Sequence, residues 1–378
     1  MRKNAKEGIA VAVLRFCKKN IVFTVAALAA AITCFLVPPD KTYLGYFDWK
    51  TLACLFLTLA VVCALRNIKF FTIVARRLVK LSGNLRSLFL LLITITFLGS
   101  MLIANDMALI TFLPLGYFAL SVTRQEKYMA YLFILQNISA NLGGMLTPFG
   151  NPQNLYLYSY FNIPTGEFCA IMLPPFLLAI ALLVLCCLPV KATKLTIVDD
   201  FCEPLNKRRT ILYLALFALS LLIVFRILPY WVGLALITGV LLWADREALM
   251  MVDYGLLGTF FFFFIFAGNL ARLPAVNELV SNLLAKDTLL VSALSCQAIS
   301  NVPSAILLSQ FTNNYHALLL GVNIGGTGTL IASLASLITF IEFRVLYPGH
   351  TKQYFWLFTA INVGFLVVMT VAAKLFFL

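Results

Sequence analysis

Asn-Leu-Gly-Gly-Met-Leu-Thr at positions 141–147 returns as Asn-Ile-Gly-Gly-Thr-Gly-Thr at 323–329, an Asn-x-Gly-Gly-x-x-Thr pattern that aligns without a gap. Two further landmarks precede each copy in the same order. Asp48-Trp49 and Asp253-Tyr254 each open an apolar run, and Ala104-Asn105-Asp106 and Ser300-Asn301-Val302 each interrupt one. Three landmarks in a shared order mark one unit written twice, and an internal repeat sets the architecture before any local feature does.

Both copies lie in membrane-like surroundings. Of the 378 residues, 62% are hydrophobic and 11% charged, where a soluble domain carries roughly 25% charge. Apolar windows at 21–37, 168–190, 210–225 and 354–378 match the ~20 residues that cross a bilayer. The first window follows Arg2, Lys3, Lys6, Arg15, Lys18 and Lys19 and runs into Pro38-Pro39. A signal peptide has a shorter apolar stretch and a small-residue cleavage site, so 21–37 reads as a retained helix. The net charge of +13 is spread over loops between apolar runs. That is the positive-inside pattern, not the footprint of a nucleic-acid binder. The nine cysteines form no CxxC pair and mostly sit in apolar runs, so they read as buried free thiols. The two histidines, His316 and His350, belong to no cluster with metal-ligand spacing, which argues against structural zinc.

Charge also sets direction. With a cytoplasmic N-terminus, 20–37 crosses outward and 50–65 returns to a loop holding Arg66, Lys69, Arg76, Arg77, Lys80 and Arg86. The stretch 87–120 lies between that loop and Arg124 and Lys127, so it enters and leaves on the cytoplasmic side. A re-entrant hairpin does that, and so do two full spans. The broken segment 128–160 then crosses outward, and 168–190 returns to Lys191, Lys194, Lys207, Arg208 and Arg209. Asp253 starts its helix from the inside, whereas Asp48 starts from the outside, so the second unit is inverted. Its hairpin, about 287–312, opens outward, and its broken segment, about 315–345, crosses inward. Only Lys41, Lys50, Arg226, Arg272, Lys286 and Lys374 then lie outside.

The expected fold is an all-α integral membrane protein with about nine spanning helices plus two re-entrant hairpins and discontinuous helices. It forms two inverted repeats, 1–190 and 210–378, joined by a cytoplasmic linker at 191–209. Such repeats about a midplane axis characterise secondary transporters. The expected location is the inner or plasma membrane, multi-pass, with the lipid bilayer as solvent.

Four segments break their helices near mid-membrane, where irregular backbone persists only buried in protein or lining a cavity. At the first tip, Asn105 and Asp106 are strong N-cap types, so one helix can end at Ala104 and another start near Asp106. At the second, Pro303 suits the first turn of a new helix. Each tip offers a helix N-terminus to an anion, and the carbonyls before it suit a hard cation such as Na⁺. In 141–154, Gly143, Gly144 and Gly150 admit close approach, Pro148 and Pro152 free carbonyls, and Asn151, Gln153 and Asn154 crowd amides into one turn. The second copy offers hydroxyls at Ser333 and Ser336. The groups expected to meet the substrate are Asn105, Asp106, Thr147, Asn151, Asn154, Ser300, Asn301 and Thr329.

Asn137 and Ser139 read as packing contacts. Asp106 is different, because a carboxylate at that depth costs a few kcal/mol and is functional by default, as a cation or proton carrier. A structural cap is the other reading. Its counterpart, Val302, does not titrate. Arg226 and Arg272 stand at helix ends and read as snorkelling side chains. An enzyme finds little support. No HExxH or GxSxG string occurs, and Asp199-Asp200-x-x-Glu203 is a single acidic patch in a basic loop.

These strings resemble the ion transporter superfamily, which includes divalent-anion:sodium symporters, citrate transporters, arsenite permeases and NhaD-type antiporters. The resemblance covers nearly the whole chain, and Asn-x-Gly-Gly followed by Gly-Asn-Pro-x-Asn (150–154) is its most specific part. The Asn105-Asp106 tip is similar to the arsenite permease and citrate–metal branches, and Ser300-Asn301 to the Ser-Asn-Thr tip of the dicarboxylate symporters. The resemblance implies one Na⁺ held by Asn105, Gly143, Gly144 and backbone of 100–104, from Ser100 to Ala104. A second would be held by Asn301, Gly325, Gly326 and backbone of 296–300, from Cys296 to Ser300. The anion would sit between the tips. It also implies a homodimer in which a substrate-carrying domain slides like an elevator. Neither tip has the full Ser-Asn-Thr triplet. The function expected is a secondary active transporter of a small di- or tricarboxylate-like anion, coupled to Na⁺ or H⁺, with no other cofactor. An arsenite-type exporter or a Na⁺/H⁺ antiporter of the same superfamily is the alternative.

Overall fold

The computed structural model describes residues 20–195 and 204–378. The basic N-terminal residues, Cys17, Cys202 and the acidic patch at Asp199, Asp200 and Glu203 lie outside the described residues. Among the described residues there is no strand, only one isolated bridge between Asn84 and Lys194.

Helix α1 (Ile21–Leu36) stops before Pro38-Pro39, which have no amide donor to continue it. Asp48 caps α2 (Trp49–Asn67) by accepting the Thr51 amide at 2.9 Å. The basic stretch after α2 was expected as loop, but it contains α3 (Phe70–Val79). Ile73, Ala75 and Val79 are buried there, while Arg76 and Arg77 complement the last turn. The reason is that charge dominates the composition of this stretch while its apolar spacing still provides a buried face.

Asn84 and Ser87 form a capping box that opens α4 (Leu85–Ile103), and α5 (Asn105–Val122) follows after a single joint residue. The next segment breaks as expected. Helix α6 (Met129–Gly143) gives way to a 3₁₀ turn (Gly144–Leu146), and α7 (Pro152–Tyr160) begins with proline in its first turn. Helix α8 (Thr165–Cys187) follows.

The second half begins with α9 (Lys207–Val224), α10 (Tyr230–Ala244), the short α11 (Arg246–Met250) and α12 (Tyr254–Ala271). Then come α13 (Pro274–Ile299), a one-residue joint, and α14 (Asn301–Leu308). Helix α15 (Tyr315–Ile324), an unwound stretch, α16 (Leu334–Leu346) and α17 (Thr351–Ala372) complete it. Helix α13 begins at Pro274, ahead of position 287, where a hairpin was expected to open. Position 287 is instead a kink inside α13, where Asp287 has φ −161° and caps the Leu290 amide at 3.0 Å.

Among the described residues seven helical stretches are long and apolar enough to span a bilayer, namely α2, α4, α5, α8, α12, α13 and the Pro348–Phe377 stretch. Helices α1, α10 and α15 are shorter and apolar. The chain is an all-helical, multi-pass membrane protein. Helix α1 packs along α12, with Phe23 edge-on to Phe262 at 5.3 Å. Helix α4 packs on α6 as α13 packs on α15. In each of those pairs a glycine permits the approach. A Cβ at Gly143 would collide with the Phe97 carbonyl, and one at Gly325 would meet Cys296 Sγ at 2.8 Å. The seven described cysteines are all free thiols.

Candidate functional site

The two tips are one-residue joints of the same shape. Ala104 has φ 65° and ψ 152°, and Ser300 has φ 75° and ψ 158°. That region is essentially reserved for glycine, so each joint is a strained residue held by its surroundings. The expected Asn/Asp cap does not form. The N-cap positions are Ala104 and Ser300, without side-chain caps. Asn105 Oδ1 instead accepts the amide of Asp106 at 3.0 Å, and Asn301 Oδ1 that of Val302 at 2.9 Å. Pro303 falls in the first turn of α14.

The unwound segments clasp the helices leading into the tips. The Thr147 hydroxyl donates to the Met101 carbonyl at 2.9 Å, and the Thr329 hydroxyl to the Gln297 carbonyl at 3.3 Å. Met101 and Gln297 occupy matching positions ahead of Asn105 and Asn301. Gln297 does more than its counterpart. Its Nε2 donates to the carbonyls of Gly325 (2.8 Å) and Thr327 (3.0 Å), and its Oε1 accepts the Thr329 amide at 2.8 Å. The second tip is also tied to its unwound segment by the Asn301 amide, which donates to the Ala332 carbonyl at 2.9 Å.

Amides link these parts into one buried network. Asn105 donates to Asn141 Oδ1 at 3.1 Å, and Asn141 donates to Asn137 Oδ1 at 3.4 Å. Asn137 reaches Ser336 and Asn362, each at 3.3 Å, which joins α6 to α16 and α17. Ser139 bonds within its own helix. Asn154 holds the carbonyls of Gly144 and Met145 at 3.2 Å. Asn323 Oδ1 accepts from Asn151 and Gln153 at 3.5 Å. Such a network is costly to leave unsatisfied in a low-dielectric interior.

Asn105, Asp106, Ser300 and Asn301 meet in one cavity of about 220 Å³, together with Gln153 and Asp253. Thr147, Asn151, Asn154 and Thr329 do not line it, and they brace the backbone around it. Ser100, Ala104, Asn105, Gly143 and Gly144 cluster at the first tip, where Ser100 Oγ is 2.5 Å from the place a Gly143 Cβ would take. Cys296, Ser300, Asn301, Gly325 and Gly326 cluster at the second, with Asn301 Nδ2 3.1 Å from the corresponding point at Gly326. Among the described residues, no lysine or arginine lines the cavity. Asp106 Oδ1 and Gln153 Oε1 are buried without a hydrogen-bond partner among the described residues.

The two arginines read as snorkelling make specific contacts elsewhere. Arg272 bonds to Asp40 at 2.7 Å and to Thr42 at 2.8 Å. That guanidinium, helped by Thr42, holds the Asp40 carboxyl down at about 2. Arg226 lies 4.2 Å over the Tyr158 ring and donates to the Tyr158 carbonyl.

Sequence reasoning did not select Gln297, Asn362 or Asp253 for the site. Gln297 was findable as a lone amide in an apolar run just before the tip. Repeat comparison hides it, because its counterpart is Met101.

Residues 10–316 match the family profile described as citrate transporter. The chain belongs to the citrate transporter family. An uncharacterized transporter of Methanocaldococcus jannaschii is 37% identical over 295 residues, which cover 77% of this chain and 80% of that protein. The inner membrane protein YbiR of Escherichia coli is 29% identical over 96% of this chain and 99% of its own length. The silicon efflux transporter LSI3 of Oryza sativa is 31% identical over 44% of this chain and 34% of its own. Membership of the citrate transporter family, with these relatives, points to a membrane transporter rather than an enzyme.

Proposed function

We propose that this protein is a secondary active transporter that moves a small anion, di- or tricarboxylate-like, across the inner or plasma membrane, coupled to the gradient of Na⁺ or H⁺. One observation carries the reading. Both tips open into one cavity whose described lining has amides, hydroxyls and two carboxylates but no lysine or arginine. The N-termini of α5 and α14 favour an anion there. With Asp106 and Asp253 in the lining, an anion enters at low cost only together with cations or protons, which is coupling.

The matching order of α4–α8 and α13–α17 supports two inverted repeats, 1–190 and 210–378, with a linker at 191–209. On this reading the joints at Ala104 and Ser300 are the turns of re-entrant hairpins, and the N-terminus is cytoplasmic. The cation positions are those clustered around Asn105 with Gly143 and Gly144, and around Asn301 with Gly325 and Gly326. A homodimer working by an elevator motion completes the proposal.

The same absence of lysine and arginine also favours a second reading, in which a neutral hydroxyl-rich acid of the arsenite type leaves the cell, or Na⁺ exchanges for H⁺, through this cavity. Uptake of labelled citrate and succinate into proteoliposomes, with Na⁺ and H⁺ gradients imposed separately, decides. Uptake driven by one gradient establishes the symporter and names its ion. No uptake in tight, correctly loaded liposomes removes the first reading in favour of the second.

A further inference from the structure

Asp48 and Asp253 open helices α2 and α12 at matching landmarks, yet their caps are built differently. Asp48 has both oxygens engaged by Thr51, Oδ1 by its amide at 2.9 Å and Oδ2 by its hydroxyl at 2.5 Å. The matching position in α12 is Leu256. Asp253 therefore accepts only the Leu256 amide, at 2.9 Å, and its other oxygen accepts no hydrogen bond among the described residues. The neighbouring position changes too. Gly255 stands where α2 has Lys50, and a Cβ at 255 would lie 2.6 Å from Asn20 Oδ1 and 3.1 Å from Asp253 Oδ1. Helix α12 thus lacks both the hydroxyl and the cation that its counterpart carries beside the aspartate.

Asp253, Gly255 and Leu256 line the cavity that holds both tips, and Asp48 does not. In that cavity Asp106 Oδ1 is buried with no partner among the described residues. Gln153 is independent of the carboxylates and points the same way. It is 1% exposed, it lines the cavity, and its Oε1 accepts no hydrogen bond among the described residues. Two carboxylates and an amide oxygen with open acceptor sites, with no lysine or arginine among the described residues of the lining, are the donor set of a hard cation.

We propose that Asp253 and Asp106 hold a hard cation between α12 and the first tip, with Gln153 as a further oxygen ligand. This site is separate from the two cation positions proposed within the tips. Its role as a loading checkpoint, which fastens the tip to α12 until the cation leaves, rests on the transport reading. Its occupancy does not.

Leu337 of α16 lines the same cavity, so Leu337→Cys reports access there through maleimide labelling, read at that position by mass spectrometry on the purified full-length protein. The probes are NaCl and MgCl₂, each against choline chloride. One of them is expected to slow labelling about tenfold when the site is nearly full, and which salt does so names the cation. Asp253→Asn and, separately, Leu256→Thr are each expected to remove that protection. The second supplies the hydroxyl that Thr51 gives Asp48 and leaves the carboxylate in place. Absence of protection by either salt, or protection retained in either variant, overturns the site. No transported anion enters this assay, so its failure and a failure of uptake are separate results.

Discussion

Asn323 donates its side-chain amide to Asn154 Oδ1 at 2.6 Å, so the asparagine of the second Gly-Gly string holds the end of the first. The bond spans the two halves of the chain, and both residues are buried. Removing one partner leaves a buried amide unsatisfied, at a cost of about 1–3 kcal/mol. Asn154→Ala and Asn323→Ala are each expected to lower the melting temperature in detergent. Because the two share one bond, the double variant should lose clearly less than the two single losses added together. Additive losses would show that the bond couples nothing.

Asn105→Ala and Asn301→Ala are expected to abolish transport while leaving membrane expression intact. Each residue lines the cavity and closes its own tip through the amide that follows it. Normal uptake in either variant would remove that residue from the site.

Gln297→Met copies the first-half residue Met101 into the second tip. The Thr329 hydroxyl keeps its backbone carbonyl, while the bonds to the Gly325 and Thr327 carbonyls and from the Thr329 amide are lost. With these three partly buried bonds to the unwound segment gone at about 1 kcal/mol each, the second tip should loosen and the apparent KM for the driving cation should rise about tenfold or more. An unchanged cation KM, measured in proteoliposomes, would mean the clasp is redundant.

How much of this was legible in the sequence follows from where each signal lies. The tips and the Gly-Gly strings stood out because Asn105, Asp106, Asn301 and the paired glycines interrupt apolar runs, and their recurrence separated them from ordinary packing. The shape of the joint residues did not stand out. Ala104 and Ser300 take a conformation typical of glycine, and nothing in their own chemistry announces it. Asp253 was read as a landmark only, since its open oxygen depends on a leucine three positions on and on a cavity built by distant helices. Helix α3 was hidden by its own arginines.

Asp106→Asn is expected to flatten the dependence of uptake on the driving cation or on pH, because it removes a carboxylate whose Oδ1 has no partner among the described residues. An initial-rate series across pH and Na⁺ concentration checks this. Curves that superimpose on those of the parent protein would leave Asp106 as a structural residue.

Asp40 provides a test outside the bilayer. Arg272 holds its carboxyl below the ordinary 3.8, at about 2. A depressed carboxylate stabilises the fold above its unfolded value and loses that contribution as the pH falls through its folded value. Arg272→Gln should therefore lower the melting temperature slightly at pH 6, and the gap to the parent protein should close between about pH 4 and pH 2. The effect is small because both groups are exposed. A gap that persists at pH 2 would assign the loss to the bonds of Arg272 with Thr42 and Tyr46 instead.

A cavity whose described lining holds carboxylates and no lysine or arginine has an electrical consequence. When its ligands have left and Asp106 is ionised, the first tip is an anion in the field of the membrane. Each elementary charge moved across that field is worth about 2.3 kcal/mol per 100 mV. In a cell that is negative inside, the resting potential would push the empty tip outward. The membrane voltage would then act on the return of the unloaded carrier, quite apart from any charge carried by the substrate.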